Sequence, residues 1–186
     1  MSNVLLRGGR IVDPAHPTAA PMRDVALIDG RIAAPQPGAH YDETFDATGC
    51  VVMAGGIDLH THIGGGKVNL ARLLMPEACG ACMPGTLDTG KRYVEMGYTA
   101  AFEPAMVPSN ARHAHLEMAD VPVLDHGAYV MLGNDELFLQ LLHEGGALNK
   151  NFAQIRDYVA WTMNATKAMG VKVVNPGGIS AFKFNQ

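Results

Sequence analysis

The sequence lacks an excess of positive charge and lacks a long apolar run. Its 14 lysines and arginines are outnumbered by 18 aspartates and glutamates, which gives a formal net charge of -4. A broad basic face for a phosphate backbone is therefore missing. No stretch approaches the roughly 20 apolar residues of a membrane span, and the N-terminus has no signal-peptide core. These absences predict a cytoplasmic protein with neither nucleic acid nor membrane as a partner.

Cysteine is also scarce. Cys50, Cys79 and Cys82 make an odd number, which argues against the disulfide framework of a small secreted protein. Cys79 and Cys82 form a C-x-x-C pair, but a structural zinc site needs further ligands at matching spacing and the chain has no second pair. We interpret them as buried or loop cysteines, with a metal or redox role as the alternative.

The first 54 residues predict a small module of short strands. A length of 186 residues and a hydrophobic content of 48% suffice for one domain with a small companion. Asp29-Gly30, between apolar alternations, is a strong hairpin signal, and several prolines punctuate the links. The predicted strands cover residues 4–6, 10–12, 25–28 and 31–33.

Residues 55–186 alternate between strand-like and helix-like segments. The predicted strands cover 56–60, 98–102, 126–133 and 171–174, and the predicted helices cover 86–96, about 109–118, 135–143 and 151–169. Such alternation predicts parallel βαβ units, so the fold class is α/β. Four units make half of an eight-stranded TIM barrel or most of a doubly wound sheet. The connection from Gly64 to Gly85 is predicted to be long and helix-poor, which is uncommon unless the segment is functional.

The stretch "GGIDLHTHIGG" places two histidines at the end of the first strand of this series. Strand side chains alternate, so His60 and His62 share a face about 7 Å apart, together with Asp58. Neutral imidazole is a common ligand of zinc and similar metals. The pattern and its position favour a metal site, and the alternative is two solvent-facing or core histidines.

A second His-x-His pair serves as a comparison. His113 and His115 lie in a predicted helix, where residues two apart point roughly 200° away from each other and cannot bind one ion. We interpret them as cap or surface groups.

Lys172, in "GVKVVNPGG", is the other unusual residue. A strand this apolar in a parallel sheet is expected to be buried on both faces, which would desolvate the amine and lower its pKa. A neutral amine can react with carbon dioxide to form a carbamate whose two oxygens bridge two metals. Schiff-base chemistry is a competing use, and a lysine that extends from the strand end to solvent is the structural alternative.

Two further residues near strand ends are candidates for supporting roles. Asn175 is a candidate for orienting substrate, or else belongs to a turn that ends the strand. Glu103 is a candidate for supporting a metal ligand, but a carboxylate that begins a helix is the favoured interpretation.

Several longer stretches resemble the metal-dependent amidohydrolase superfamily, which includes dihydroorotase and dihydropyrimidinase. They are "GGRIVDP", "DVALIDGRIAA", "FDATGCVVMAGGIDLHTHI" and the Lys172 strand. The resemblance implies a small N-terminal β-sandwich followed by a TIM barrel, with two divalent metal ions, zinc as the expected metal. It also implies that His60 and His62 bind the first ion and that a carboxylated Lys172 bridges both and takes part in catalysis.

Within the superfamily, the chain is similar to the A subunits of formylmethanofuran dehydrogenase and of the formyltransferase/hydrolase complex. The similar stretches are "GGGKVNLARLLMPE", "MGYTAAFEPAMVP", "ARHAHLEMADVPVLDHGAYVMLGN" and "VKVVNPGG". They imply hydrolysis or formation of the N-formyl amide of a furan-type one-carbon carrier, with formate as the product, in a complex with other subunits. "ARLLMPE" favours the methylotroph type. The alternatives are a cyclic amidase and a metal-free scaffold subunit.

The chain departs from the superfamily pattern at its C-terminus. The superfamily places further histidine ligands after strands five and six and a catalytic aspartate after strand eight, whereas this sequence stops at Gln186, beyond strand four. We therefore expect a fragment of a longer polypeptide, or one whose second half is a separate chain, and expect the 186-residue piece alone to be inactive.

Overall fold

The computed structural model describes residues 2–15, 21–74, 84–145 and 150–174. The chain divides into two compact units, Met1–Ala54 and Gly55–Gln186. Cys79, Cys82 and Asn175 lie outside the described residues, so their interpretations remain predictions. Within the described ranges, no helix is both long enough and apolar enough to cross a membrane.

The first unit is a five-stranded sheet. Its strands are β1 (Val4–Val12), β2 (Met22–Ile28), β3 (Arg31–Ala33), β4 (Glu43–Asp46) and β5 (Val51–Met53). The order is β3-β2-β1-β4, and β5 pairs with the later part of β1. β2 runs antiparallel to both β1 and β3, whereas β4 and β5 run parallel to β1.

Two features of this sheet follow from local backbone chemistry. The predicted hairpin is confirmed: Asp29 and Gly30 both have positive φ, 51° and 73°, as a type I′ turn requires. The two strands predicted at 4–6 and 10–12 are one strand, because a register shift between Leu6 and Gly9 bends β1 without ending it. Gly8, with φ of 69°, accommodates the bend.

β4 was not predicted because all four of its residues are exposed and show no apolar alternation.

The second unit is a four-stranded parallel sheet whose strands are joined through helices. Its elements are β6 (Gly56–Asp58), α1 (Gly66–Leu74), α2 (Thr86–Glu95), β7 (Tyr98–Met106), a 3-10 turn (Pro108–Asn110), α3 (Ala111–Ala119), β8 (Asp125–Met131), α4 (Glu136–Gly145), α5 (Phe152–Thr166) and β9 (Gly170–Lys172). The strand order is β6-β7-β8-β9, with every pair parallel. Sequential neighbours are the order of a barrel segment, whereas a doubly wound sheet reverses direction at a switch point. The predicted fold class, a strand module followed by a parallel half-barrel sheet, is confirmed.

The hydrophobic core of the second unit lies between the sheet and α3. Ala101 on β7 and Val130 on β8 have no exposed surface, and Met118 on α3 packs against them. Ile63, just after the two histidines, joins the same core at 2% exposure. The segment that carries the histidines is therefore anchored on the densest part of this unit.

The prediction of a helix-poor connection from Gly64 to Gly85 is wrong in its first part, because α1 occupies Gly66–Leu74. The glycine run before α1 obscured its start, and α1 buries no residue completely, so its apolar pattern is weak. Tertiary contacts stabilise it instead: Glu117 on α3 accepts hydrogen bonds from Gly65 N and Asn69 Nδ2 and pairs with Arg72.

The expected full burial of the Lys172 strand is also wrong. β9 spans only Gly170–Lys172, and each of its residues is half-buried. Val173 and Val174, which were predicted to extend the strand, are 46% and 50% exposed. The reason is position: in the part of the chain that the structure describes, β9 lies at the sheet edge and pairs with β8 alone.

Candidate metal centre

The two histidines follow the carboxyl end of β6 and do not lie within it. β6 ends at Asp58, whose Oδ1 accepts a hydrogen bond from the backbone N–H of His60 at 3.1 Å. Thr61, between the histidines, donates its N–H to the carbonyl of Phe102 on the neighbouring β7 at 3.1 Å. These contacts hold the backbone on both sides of His60. The predicted strand, which included His60, is two residues too long.

The imidazoles of His60 and His62 lie side by side at the mouth of the sheet. Their ring centroids are 6.4 Å apart and the ring planes meet at 73°. Zn–N bonds of about 2.0–2.1 Å bring two imidazoles on one ion slightly closer than this. Both side chains are exposed, so the two rings would have to move slightly closer together to bind one ion.

Lys172 reaches the same place from the far end of the chain. Its Nζ lies 3.3 Å from His60 Nδ1, although the two residues are 112 positions apart. Lys172 pairs in register with Met131, so it stands at the carboxyl end of β9 beside the carboxyl end of β8. The structure therefore brings together the three residues that the sequence predicted for the metal site.

Glu103 is the buried hydrogen-bond partner of the His62 imidazole. Its Oε1 lies 2.8 Å from His62 Nδ1 and accepts a hydrogen bond from Ala105 N at 3.0 Å. The side chain is 3% exposed, and burial raises the pKa of Glu103 above its ordinary value while the His62 hydrogen bond opposes that rise. A carboxylate on Nδ1 keeps the proton there and leaves Nε2 free to bind a metal. The favoured interpretation as a residue that begins a helix is wrong, because Glu103 lies within β7 and α3 begins only at Ala111.

Tyr93 on α2 contacts the histidine segment from the other side. Its hydroxyl donates a hydrogen bond to Asp58 Oδ2 at 3.1 Å and is also hydrogen-bonded to Thr61 Oγ1. Burial raises the pKa of the Tyr93 phenol. Sequence reasoning missed Tyr93, since a tyrosine on an amphipathic helix carries no functional pattern of its own.

A cavity of about 340 Å³ borders His62. Lys67 and Arg72 make its lining basic, and Ile63, Val68 and Pro84 supply apolar surface. The cavity opens beside the metal candidates, so a substrate group held there would lie next to His62.

The donor set fits divalent metal ions only when Lys172 is included. In residues 2–15, 21–74, 84–145 and 150–174, no three His, Cys, Asp or Glu side chains are grouped so as to hold an ion by themselves. A carbamate on Lys172 would add a third donor, because it would supply anionic oxygens of the kind that hard and borderline divalent ions accept. The buried Glu103, whose Oε2 has no partner, provides the carboxylate that commonly stands behind a metal-bound imidazole.

The second His-x-His pair behaves as predicted. Both residues lie on α3, where His113 is exposed near Asn69 and His115 Nε2 bonds to the carbonyl of Thr166 at 2.8 Å. The two side chains have separate partners and do not converge.

Comparison with known proteins identifies the family. A model of the "Amidohydrolase family" matches residues 43–183, which include both histidines and Lys172. The chain belongs to the amidohydrolase family. The resemblance predicted from the sequence is confirmed.

Two curated relatives align with almost the whole of this chain. It is 45% identical over 190 residues to the A subunit of the formyltransferase/hydrolase complex Fhc of Methylorubrum extorquens, an alignment covering 96% of this chain and 33% of that protein. It is 35% identical over 192 residues to "Protein FwdA" of Methanocaldococcus jannaschii, again covering 96% of this chain and 33% of that protein. The chain thus spans about a third of the length of these curated relatives.

Solved structures show the same likeness. The crystal structure of the FhcABCD complex from Methylorubrum extorquens with methylofuran matches with a TM-score of 0.85 and 42% identity, covering 99% of this chain and 35% of that one. A prolidase matches with a TM-score of 0.52 and 15% identity, covering 92% of this chain and 46% of that one, which shows the fold alone.

Proposed function

We propose that this chain supplies the metal-holding part of an amidohydrolase that hydrolyses, or in reverse forms, the N-formyl amide of a methanofuran- or methylofuran-type carrier. In the hydrolytic direction, water adds to the formyl carbon, the C–N bond breaks, and formate and the carrier amine are the products. We further propose that the unit of residues 1–54 is the β-sandwich-like module and that residues 55–186 are the N-terminal half of the TIM-barrel domain.

One observation carries the proposal: the Lys172 amine lies 3.3 Å from the His60 imidazole, with His62 beside it and Glu103 buried behind. The Lys172 amine lies against the His60 imidazole at the carboxyl end of a parallel sheet, where a metal ligand formed from that amine would stand beside the histidines. Reaction of the neutral amine with carbon dioxide, with loss of one proton, would give a carbamate and so create an anionic metal ligand.

His60, His62 and a carboxylated Lys172 would hold two divalent ions, with zinc as the expected metal. Such ions would supply Lewis-acid polarisation of the formyl group and a nucleophile at neutral pH. Glu103 fixes the His62 ring by accepting from Nδ1, and Asp58 fixes the His60 backbone. Asn175 remains a candidate for orienting substrate.

The substrate class and partners are proposed from the relatives. The 45% identity to the methylotroph protein, against 35% for the methanogen protein at equal coverage, favours a methylofuran-type carrier. The matched structure is a complex of several subunits with methylofuran bound, so we propose partner subunits of the same kind for this protein.

The test is formate release by the protein purified as it occurs in the cell, together with any subunits that accompany it. We expect formate from a formylated furan carrier and no turnover of hydantoins or dihydropyrimidines. Turnover of the cyclic amides alone would identify a cyclic amidase. Absence of bound metal in protein never exposed to chelators would identify a scaffold subunit. Either result would overturn the proposal.

A further inference from the structure

Tyr93 stands at the centre of a hydrogen-bond chain that joins Asp58 to Thr61, on either side of His60. An ionised carboxylate can only accept, so the phenol must donate its single proton to Asp58 Oδ2, 3.1 Å away. The Thr61 hydroxyl must then donate to the phenol oxygen. The direction of both hydrogen bonds is therefore fixed by chemistry.

The two ends of this chain bracket His60 and precede His62. Asp58 uses its other oxygen, Oδ1, to accept the backbone N–H of His60 at 3.1 Å. Thr61, which immediately precedes His62, also donates its backbone N–H to Phe102. The phenol thus joins the residue two before His60 to the residue between the histidines.

The position of the Tyr93 ring is itself set by packing. Tyr93 lies in the last turn of α2, and its ring meets the ring of Tyr98 edge-on with centroids 5.5 Å apart. Tyr98 begins β7 and pairs with Gly56, where a Cβ would come within 2.8 Å of the Tyr98 ring. The packed aromatic pair restricts movement of the Tyr93 ring beside the start of β6. The phenol oxygen is therefore held in a fixed position.

The hydrogen bonds of Tyr93 matter because His60 and His62 follow the end of β6 and lie outside its backbone hydrogen-bond ladder. That strand ends at Asp58, and a backbone bond to β7 is made by the Thr61 N–H between the two histidines. The phenol adds to that bond, because it links the Asp58 carboxylate to the Thr61 hydroxyl. Groups that orient metal ligands typically change metal affinity by about 10–100-fold when they are removed.

We infer that Tyr93 is a positioning residue of the metal site, which acts through Asp58 and Thr61 to set the geometry of the His60–His62 segment. This inference rests on the proposed metal-dependent function. It concerns affinity for the ions and assigns the phenol no contact with substrate.

The test is the Tyr93→Phe variant, which keeps the ring and removes only the hydroxyl. The matched control is Tyr158→Phe, because the Tyr158 phenol on α5 also donates to a carboxylate, Asp135 Oδ2 at 2.9 Å, but to one that precedes α4 and not to the histidine segment. Both variants are made in the protein purified as it occurs in the cell. The dissociation constant for zinc is measured by competition with a chromophoric chelator, and thermal unfolding is measured in parallel without metal.

We expect Tyr93→Phe to raise the zinc dissociation constant at least about tenfold, and Tyr158→Phe to leave it within about twofold of wild type. Equal zinc affinity in Tyr93→Phe and wild type would overturn the inference while leaving the proposed function intact. An equal loss of affinity in both variants would overturn it as well, since the effect would then be general destabilisation. Wild-type protein that binds no zinc or other divalent ion would overturn the proposed function and the inference together.

Discussion

His62, which follows β6, and Glu103 on the neighbouring β7 are joined by a 2.8 Å contact between imidazole Nδ1 and carboxylate Oε1, across 41 positions of sequence. The carboxylate is nearly inaccessible to solvent, whereas the imidazole is 39% exposed. One end of the ring is therefore held in the protein interior and the other faces the open mouth of the sheet. The buried contact at Nδ1 therefore orients the ring, while the exposed side of the ring stays available to bind an ion.

Replacing Glu103 with glutamine should weaken metal binding more than it weakens the fold. The Glu103→Gln side chain fills the same space but removes the charge that favours a proton on His62 Nδ1, so we expect a loss of affinity of about 10–100-fold. Glutamine keeps an oxygen for Ala105 N and leaves no unpaired charge in the interior, so the free energy of unfolding should fall by less than the free energy of metal binding does. Chelator competition and denaturant titration measure the two quantities separately.

The control for that variant is Glu117→Gln. Glu117 is also a nearly buried carboxylate, but it pairs with Arg72 and binds Gly65 N. We expect Glu117→Gln to lower the free energy of unfolding and to change the zinc dissociation constant less than Glu103→Gln does. A reversal of this order would contradict the assigned role of Glu103.

The two His-x-His pairs offer an internal comparison of metal binding. His60→Ala combined with His62→Ala should abolish binding of the first ion, because both of its imidazole ligands are lost. His113→Ala combined with His115→Ala should leave the metal content unchanged and cost about 1 kcal/mol of stability through the lost bond to Thr166. Elemental analysis of both double variants checks this, and equal metal loss in the two would refute the assignment.

Lys172→Met should lower the metal content and should remove any signal from a carbamate. Methionine keeps an unbranched side chain but has no amine to react with carbon dioxide. Incubation of wild-type protein with isotopically labelled bicarbonate, followed by NMR, should give one carbamate resonance that Lys172→Met lacks. Lys91→Met, at an exposed position on α2, is the control and should keep both the resonance and the metal. A resonance that persists in Lys172→Met would show that another amine carries it.

Gly90→Ala should destabilise the second unit, although alanine is the better helix former. Gly90 lies in α2, where an added Cβ would come within 2.4 Å of the Pro122 carbonyl oxygen. The backbone must shift to relieve that overlap, at a cost of about 1–3 kcal/mol, which exceeds the propensity gain of about 1 kcal/mol. Chemical denaturation measures whether the free energy of unfolding of the variant is lower or higher than that of wild type. A variant more stable than wild type would mean that α2 can move away from Pro122.

The sequence predicts site residues whose polar side chains contrast with an apolar surrounding pattern. It does not predict residues whose role depends on contacts with distant parts of the chain. His60, His62 and Lys172 stood out because imidazoles and an amine interrupted apolar strands, and βα alternation placed them at one edge. Glu103 interrupts an equally apolar strand, "TAAFEPAM", and the sequence made it a candidate for supporting a metal ligand, but the start of a helix was the favoured interpretation. Tyr93 had no such contrast, since its role depends on a distance of 3.1 Å to Asp58 that no local pattern encodes.

The errors in the predicted fold also come from contacts between distant parts of the chain. α1 went unpredicted because contacts from Glu117, 52 positions away from Gly65, stabilise a helix whose own pattern is weak. The burial of Lys172 was overestimated because the apolar run around it predicts an interior strand, whereas the number of neighbouring strands decides exposure. Both properties depend on long-range packing.

The three glycines after His62 leave no room between the histidine loop and α3. A Cβ on Gly64 would come within 3.1 Å of Met118 Cγ, and one on Gly66 within 2.8 Å of Asn110 Nδ2. The loop therefore lies so close to Met118 and Asn110 that a side chain added at either glycine would displace one of them or the loop itself. Since Gly64 is two residues after His62, any such shift would change the position of the imidazole relative to Lys172.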